Sequence, residues 1–449
     1  MIKKFALIII VTTLFCSCYT YDASILPSYE DENINDYKYD LVPNDVFSDF
    51  DFMVASDIHF LSDDLYDQGK AFEQMIATSN GQMQAQGTEI IDAFFNQVTD
   101  KQPDFMILTG DLTLNGEKLS HTQLAAKLQS VEDTGVDVLV VPGNHDINNV
   151  YARSFFGENQ QIVDYVDFDD FSNIYAEFGP DHAIMKDESS FSYVVEKGNV
   201  WLLMIDSASY DNNVGQEYPE SSGSLLQSQA QWFQSVLDSA KQQNKEIMTF
   251  MHHNMVAHAD VSSFLMADFM IAGASTGMSS YLASNDMNIV FSGHIHCHDI
   301  AGIRYEDNFI FDITTGALIT YPHNYRICQL DEAGNLSIQT QTIKKIQSDP
   351  RFGEYSKKRA YDVRGDFGRV KGVSEKDMDI MQRYAKIVAN AYFEGTDDQI
   401  FINKRNIAGY SLWTQQNGVM TEMILGMSHD TEPRDRNITI DLNTGYWSE

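Results

Sequence analysis

The chain has 449 residues, and 43% of them are hydrophobic, which is enough for a sizeable core and for more than one domain. The 65 acidic residues outnumber the 30 lysines and arginines, so the formal charge is −35 at pH 7. Such a surface repels polyanions, and this argues against a groove that binds a nucleic-acid polymer.

The N-terminal segment has the features of an export signal. Lys3 and Lys4 precede an apolar run, residues 5–15, that is too short to span a membrane. Residues 15–18, Phe-Cys-Ser-Cys, are similar to the cleavage site of bacterial lipoproteins. We therefore expect a lipid on Cys18 that holds the protein at a membrane surface outside the cytoplasm, with plain secretion as the alternative. An acidic tether without apolar periodicity follows to about Pro43.

Three strand–helix units are predicted next. Apolar runs predict buried strands at 52–55, 104–109 and 136–141, and helical spacing of apolar residues predicts helices at 89–98 and 119–132. Polar residues stand at the C-terminal end of each strand. This is the pattern of α/β proteins that bind ligands beyond the strand ends. The polar residues 61–87 are expected to form part of the pocket wall.

Residues 148–190 are rich in aromatic and acidic side chains and predict a helical insertion that packs over the sheet. The remaining predicted elements are strands at 191–195, 200–205, 247–251, 289–291, 309–313, 325–330 and 336–342, a helix at 227–241, and a loop with a helix at 255–285. Cys297 and Cys328 are the only cysteines beyond the predicted anchor. They are expected to be free and buried, with a disulfide as the alternative.

Five short blocks at the ends of apolar strands contain the candidate metal ligands. They are Asp57-Ile58-His59, Gly110-Asp111, Gly143-Asn144-His145-Asp146, His252-His253 and Gly293-His294-Ile295-His296. In an extended segment residues i and i+2 point to the same side, so the last two histidines can face one point in space. Each block alone is weak evidence, whereas the ordered set indicates a metal site.

This ordered set resembles the calcineurin-like metallophosphoesterase superfamily over residues 47–342. The resemblance implies an α/β fold in which two mixed β-sheets pack as a sandwich flanked by helices. It also implies two metal ions bridged by Asp111. One ion would take Asp57, His59, Asp111 and His296, and the other would take Asp111, Asn144, His252 and His294. His253 stays the alternative to His252, because Asn254 stands where the family commonly has proline. The oxygen and nitrogen ligands suit manganese, iron or zinc.

The same resemblance implies hydrolysis of a phosphoester by a hydroxide bound to the two ions. His145 would stabilise the transition state or protonate the leaving oxygen, and Asp146 would orient His145. His298 either reaches the pocket or lies on the surface. Cys297 is expected to face away from the site as a packed thiol.

The composition shifts beyond Ile346. Ser374 is predicted to cap a helix at 375–393, and a second apolar segment at 412–427 completes a small helical domain. The expected divisions are a signal peptide at 1–18, a tether at 19–45, a catalytic domain at 46–347, a helical C-terminal domain at 348–432 and a tail at 433–449. This organisation resembles the bacterial class III cyclic nucleotide phosphodiesterases and implies a diesterase for small substrates such as cyclic nucleotides. The alternatives are a phosphomonoesterase or nucleotidase, and an inactive surface-anchored binding protein.

Overall fold

A computed structural model describes residues 47–259, 278–305, 308–364, 370–428 and 433–449. The predicted signal peptide and nearly all of the predicted tether lie outside these ranges, as does most of the loop and helix predicted at 255–285. None of the helices within these ranges combines the length and the apolar character needed to cross a lipid bilayer.

The described residues form sixteen strands. They are β1 (Phe50–Ala55), β2 (Phe105–Thr109), β3 (Asp137–Val141), β4 (Arg153–Phe156), β5 (Asn159–Ile162), β6 (Met185–Lys186), β7 (Tyr193–Lys197), β8 (Val200–Ile205), β9 (Glu246–Met251), β10 (Ile289–Ser292), β11 (Asp299–Tyr305), β12 (Asn308–Thr314), β13 (Asn324–Leu330), β14 (Asn335–Thr342), β15 (Asn437–Asp441) and β16 (Trp447–Ser448).

Eleven α-helices accompany these strands in the same ranges. They are α1 (Lys70–Thr78), α2 (Gly87–Lys101), α3 (Lys118–Glu132), α4 (Phe168–Ile174), α5 (Gln227–Gln242), α6 (Met278–Ala283), α7 (Phe352–Val363), α8 (Glu375–Glu394), α9 (Asp397–Asn403), α10 (Tyr410–Trp413) and α11 (Val419–Gly426).

The strands form two seven-stranded mixed sheets and the separate β4–β5 hairpin. The first sheet has the order β16-β15-β14-β13-β1-β2-β3, in which β1, β2 and β3 are parallel. The second has the order β11-β12-β10-β9-β8-β7-β6, in which β12, β10, β9 and β8 are parallel. Parallel strands end at a common edge, so every predicted ligand block leaves its sheet at such an edge.

The main core lies between the two sheets. Phe52 and Phe105 of the first sheet stack at 5.2 Å between ring centroids, and Phe250 and Phe291 of the second sheet stack at 5.1 Å. Phe52 meets Phe291 edge-on at 5.4 Å, which joins the two layers. The predicted sandwich of two mixed sheets is therefore confirmed.

Helices cover the outer faces of the sandwich. In β8, Leu202 and Met204 point into the core between the sheets, while Trp201, Leu203 and Ile205 pack on the opposite face in a cluster that includes residues of α5. This alternation is the period of two that a strand buried on both faces requires. Burial of both faces explains why residues 200–205 form an unbroken apolar run in the sequence.

Residues 148–190 differ from the prediction. They contain the β4–β5 hairpin and the seven-residue helix α4, so the predicted helical insertion was wrong. The aromatic residues Phe171, Tyr175 and Phe178 do pack into the main core, as expected. The high density of aromatic side chains indicated burial, but it did not distinguish a helix from a hairpin.

The C-terminal region is helical, as predicted. Helix α8 begins after Ser374, whose Oγ accepts a hydrogen bond from the amide of Asp377 at 3.1 Å. Serine at this position satisfies one of the unpaired amides of the first turn. The residues that follow, predicted as a tail, contain β15 and β16, and β15 pairs with β14 at the edge of the first sheet.

Candidate metal centre

Four side chains converge in the first group of ligands. The ligand atoms of Asp57, His59, Asp111 and His296 all lie within 4.8 Å of one another. His59 Nε2 is 3.2 Å from His296 Nε2 and 3.6 Å from Asp111 Oδ2. These are the four residues predicted for one ion, and the structure brings them together from three loops of two sheets.

A second group forms on the other side of Asp111. His252 Nε2 lies 3.1 Å from Asn144 Oδ1 and 3.3 Å from Asp111 Oδ1. The His294 ring is 5.1 Å from the His252 ring between centroids. The two carboxylate oxygens of Asp111 thus face two different groups of ligands, which is the geometry that a bridging carboxylate needs.

The geometry favours His252 over His253 as a ligand. His252 Nδ1 lies 2.8 Å from the carbonyl of Thr109, an acceptor that holds the proton on Nδ1 and leaves the Nε2 lone pair facing the site. Both ring nitrogens of His253 are already used, since Nδ1 lies 2.9 Å from Ser207 Oγ and Nε2 lies 3.1 Å from the carbonyl of Ser221. His253 therefore lies beside the centre as a packed residue.

The backbone at the ligands is held in an unfavourable conformation. Of the eleven described non-glycine residues with positive φ, five are predicted ligands: Asp57, His59, Asp111, His294 and His296. Each such residue costs on the order of 1–3 kcal/mol, and this strain is typical of functional sites. Gly110, at φ +87°, permits the close approach of His252, because a Cβ there would lie 2.5 Å from His252 Nδ1.

The buried carboxylates make the site strongly attractive to cations. Burial raises the pKa of Asp57, but the neighbouring His296 and His252 outweigh it and lower the pKa to about 2. Burial lowers the pKa of His252, yet the carboxylates of Asp111 and Asp57 more than offset it and raise the pKa to about 9. Burial also lowers the pKa of His59 to about 3, so its imidazole is neutral. The two buried carboxylates hold a proton on His252 in the absence of metal, and a divalent cation that binds here would displace that proton and take its place beside them.

An unpaired buried atom supports the same conclusion. Asp57 Oδ2 accepts hydrogen bonds from Ser56 Oγ at 2.6 Å and from the amide of His294 at 3.0 Å. Asp57 Oδ1 is also buried; His296 Nε2 lies 3.3 Å from it, but no described residue donates a well-aligned hydrogen bond to it. A buried oxygen without a donor is costly unless a cation satisfies it. The residues present therefore fit the metal ions that the family pattern implies.

His145 lies at the edge of the first group of ligands. Its Nδ1 is 2.6 Å from the carbonyl of Leu114 and 3.2 Å from Asn115 Oδ1. Because a carbonyl can only accept, Nδ1 carries a proton and Nε2 is directed to the site, 4.0 Å from Asp111 Oδ2. About a third of the His145 side chain is exposed, so a substrate can reach it.

The structure corrects the role predicted for Asp146. Among the described residues, its carboxylate accepts hydrogen bonds from the amides of Leu112, Thr113 and Gly143 at 2.8–3.0 Å, and none joins it to the His145 ring. Asp146 fixes the backbone of two ligand loops, whereas Leu114 and Asn115 orient His145. Nothing in the sequence singled out these two residues except that they follow Asp111 closely.

His298 and Cys297 also lie outside the centre. His298 is fully buried, with Nε2 2.8 Å from Thr340 Oγ1 and Nδ1 accepting from the amide of Gly316, so it is neither a pocket residue nor exposed. Cys297 and Cys328 are free and buried, as expected. The predicted pocket segment 61–87 reaches the site through Gln84, whose Nε2 donates to the carbonyl of His59 at 3.1 Å.

Comparison with known proteins agrees with this arrangement. The family model described as "Calcineurin-like phosphoesterase" matches residues 50–298, more than half of the chain. No curated protein matches the chain significantly.

Two solved structures are similar over part of the chain. A dimetal phosphatase from Danio rerio has 14% identity and a TM-score of 0.44, over 67% of this chain and 97% of the other. A purple acid phosphatase from yellow lupin (Lupinus luteus) seeds has 12% identity and a TM-score of 0.41, over 67% of this chain and 52% of the other. The family match, together with the two groups of converging ligands, shows that the chain belongs to the calcineurin-like phosphoesterase family of metal-dependent phosphoester hydrolases.

Proposed function

We propose that this protein hydrolyses small phosphodiesters, such as cyclic nucleotides, at the centre bridged by Asp111. The observation that carries the proposal is that the polar contacts of the ligands Asp57, Asp111 and His252 with other described residues are to histidines, an asparagine, a serine, a carboxylate and backbone groups. No hydrogen bond or ion pair between described residues joins a lysine or arginine to Asp57, Asp111 or His252.

The charge of the substrate explains why this matters. A phosphomonoester carries between one and two negative charges at neutral pH, whereas a phosphodiester carries one. Because no described lysine or arginine pairs with these ligands, the positive charge that meets the phosphoryl group comes mainly from the bound ions. A singly charged diester suits such a centre better than a doubly charged monoester.

The protein side chains have separate roles in this reaction. When two ions are bound, they lower the pKa of a water molecule and offset charge on the phosphoryl oxygens. Asp111 holds the two groups of ligands together. The Nδ1–H group of His145 donates to the Leu114 carbonyl, so Nε2 is presented to the site. A proton held on Nε2 can pass to the leaving oxygen.

The substrate test compares two chromogenic esters. Purified protein with Mn²⁺ should hydrolyse bis-p-nitrophenyl phosphate with a higher kcat/KM than p-nitrophenyl phosphate, and should then convert 3′,5′-cyclic AMP to AMP. Asp111→Asn, prepared in the same way, measures the background from contaminating phosphatases. A clear preference for the monoester would refute the diesterase proposal and favour a nucleotidase. Metal-loaded protein without turnover of either ester would favour a binding protein.

We propose further that the protein is anchored by a lipid on Cys18 at a membrane surface outside the cytoplasm. Lys3 and Lys4, the short apolar run and the Phe-Cys-Ser-Cys segment support this location. Cys18→Ala should move the expressed protein from the membrane fraction and abolish labelling by a radioactive fatty acid. Unchanged fractionation and labelling would contradict the anchor.

A further inference from the structure

We propose that the C-terminal helical region sets the geometry of the ligand segment 294–296 by packing against its back face. Docking of these helices and metal binding would then be coupled. The proposal rests on the metal centre and not on the identity of the ester.

The ligand segment has two faces with different partners. His294 and His296 point to the metal centre, where His296 Nε2 lies 3.3 Å from Asp57 Oδ1. The intervening Ile295 and the following Cys297 instead belong to an apolar cluster built almost entirely from the C-terminal helices. Neighbouring side chains of one short segment therefore contact the metal ligands on one side and the helices on the other.

Helix α8 supplies most of this apolar surface. Its buried stripe recurs at intervals of three and four residues, which places the stripe on one side of the helix. The stripe consists of Met381, Tyr384, Ala385, Val388, Ala389 and Tyr392. Trp413 of α10 closes the cluster, and its Nε1 donates to the carbonyl of Met381 at 2.9 Å.

Polar contacts continue along the same segment. The side chains of Tyr392 and Cys297 are buried in the same cluster. Gly395 ends α8 at φ +66° directly against the carbonyl of His298, where a Cβ would overlap that oxygen. Asp435, just before β15, accepts from the amide of Ile300 at 3.1 Å. The C-terminal region therefore contacts the chain from Ile295 to Ile300.

The ligand segment needs this support because its backbone is strained. His294 has φ 69° and His296 has φ 60°, left-handed conformations that non-glycine residues keep only when surrounding structure holds them. The metal ions would constrain the two imidazoles from one side, and the helices constrain Ile295 and Cys297 from the other. Coupling of this kind is reciprocal: if docking of the helices favours metal binding, then metal binding favours docking of the helices to the same extent.

The test compares two apolar truncations in the full chain. Ile295→Ala removes the contact between the ligand segment and the helices, whereas Ile424→Ala removes a buried side chain of the same cluster that belongs to α11. Calorimetric titration of each metal-free protein with Mn²⁺ gives its affinity and stoichiometry, and circular dichroism shows that each variant is folded. Loss of support around a metal ligand typically weakens affinity about 10- to 100-fold.

We expect Ile295→Ala to weaken Mn²⁺ binding by about 10- to 100-fold. Ile424→Ala should bind Mn²⁺ with an affinity within about threefold of wild type. Ile295→Val should recover the wild-type affinity. Wild-type affinity in Ile295→Ala would overturn the proposal, as would an equal loss in Ile424→Ala, because the cluster would then only stabilise the fold. A wild-type chain that binds no Mn²⁺ would overturn the proposal together with the metal centre itself. Since the titration contains no ester, failure of the diesterase proposal leaves its result unchanged.

Hydrogen exchange supplies a second measurement that needs no variant. If docking and metal binding are coupled, Mn²⁺ should slow amide exchange in α8, although no residue of that helix is a ligand. Helix α5, on the outer face of the second sheet, serves as the internal control and should change little. Exchange in α8 that is unaffected by Mn²⁺ would contradict the coupling.

Discussion

The most specific prediction concerns a buried ion pair behind the ligand loops. His258 Nδ1 lies 2.9 Å from Asp299 Oδ2, and His258 Nε2 lies 3.4 Å from Asp312 Oδ1. Asp312 Oδ1 also accepts from Ser292 Oγ at 2.5 Å, and Ser292 Oγ accepts from Asn254 Nδ2 at 2.8 Å. This chain of contacts joins the loop after His252 to the strand that leads into His294.

The charge on His258 sets the strength of this connection. Burial lowers its pKa, but the carboxylates of Asp312 and Asp299 more than offset that and raise the pKa from 6.5 to about 9. At 1.36 kcal/mol per pKa unit, this corresponds to about 3 kcal/mol of stability. Because the pKa is higher in the folded state, the full stabilisation is present below pH 6.5 and is lost as the pH rises through 9.

The assay is equilibrium unfolding in urea with EDTA, for wild type and His258→Gln, at about pH 6 and about pH 10. The difference in the free energy of unfolding between the two proteins should be about 3 kcal/mol larger at the lower pH. His298→Gln is the matched control. His298 is also fully buried, its hydrogen bonds to described residues are to Thr340 and Gly316 and not to a carboxylate, and burial lowers its pKa well below the ordinary value. For His298→Gln, the difference from wild type in the free energy of unfolding should change less between the two pH values, and it should be larger at the higher pH.

An equal difference between wild type and His258→Gln at both pH values would refute the reasoning, since His258 would then be neutral in the folded protein. The comparison of differences is important, because other groups titrate over the same range in both proteins. Their contributions cancel as long as they do not contact His258.

Three further predictions concern the metal centre directly. Asn144→Ala and His252→Ala should each lose one of two Mn²⁺ ions and nearly all turnover. Metal analysis and ester hydrolysis measure these losses. Full activity in either variant would overturn the ligand assignment. His145→Gln should keep both ions but lower kcat about 10²- to 10⁴-fold, the usual contribution of an acid–base group, whereas loss of metal would make His145 a ligand. Gly110→Ala should weaken Mn²⁺ binding by displacing His252, while Gly135→Ala, which has the same left-handed backbone but open space around it, should not. Equal effects in both glycine variants would attribute the change to backbone strain alone.

The ligand blocks could be predicted from the sequence because their signal is local. Each block follows directly on an apolar strand, and the strand from Val200 to Ile205 agrees with the structure to the residue. The helix after Ser374 was also predicted nearly to its ends, since a capping serine and a long apolar stripe both lie within the segment itself. Such features depend on neighbours a few residues apart, so a single sequence contains them.

Other features depended on partners that are distant in the chain. The β4–β5 hairpin and the strand β15 have short, partly polar sequences, and β15 exists because it pairs with β14 about a hundred residues earlier. The choice between His252 and His253 required the contacts of each ring with Thr109, Ser207 and Ser221. No spacing rule encodes such contacts.

The order and type of the ligands in this protein were therefore decided by its sequence, because strand ends and ligand chemistry are properties of short segments. The tertiary structure decided which oxygen of Asp111 faces which group, which groups orient His145, and what supports Ile295 from behind. These depend on how two sheets and a helical region meet. Packing between segments far apart in the chain is set by the shape and volume of the whole core, and a local pattern does not contain it.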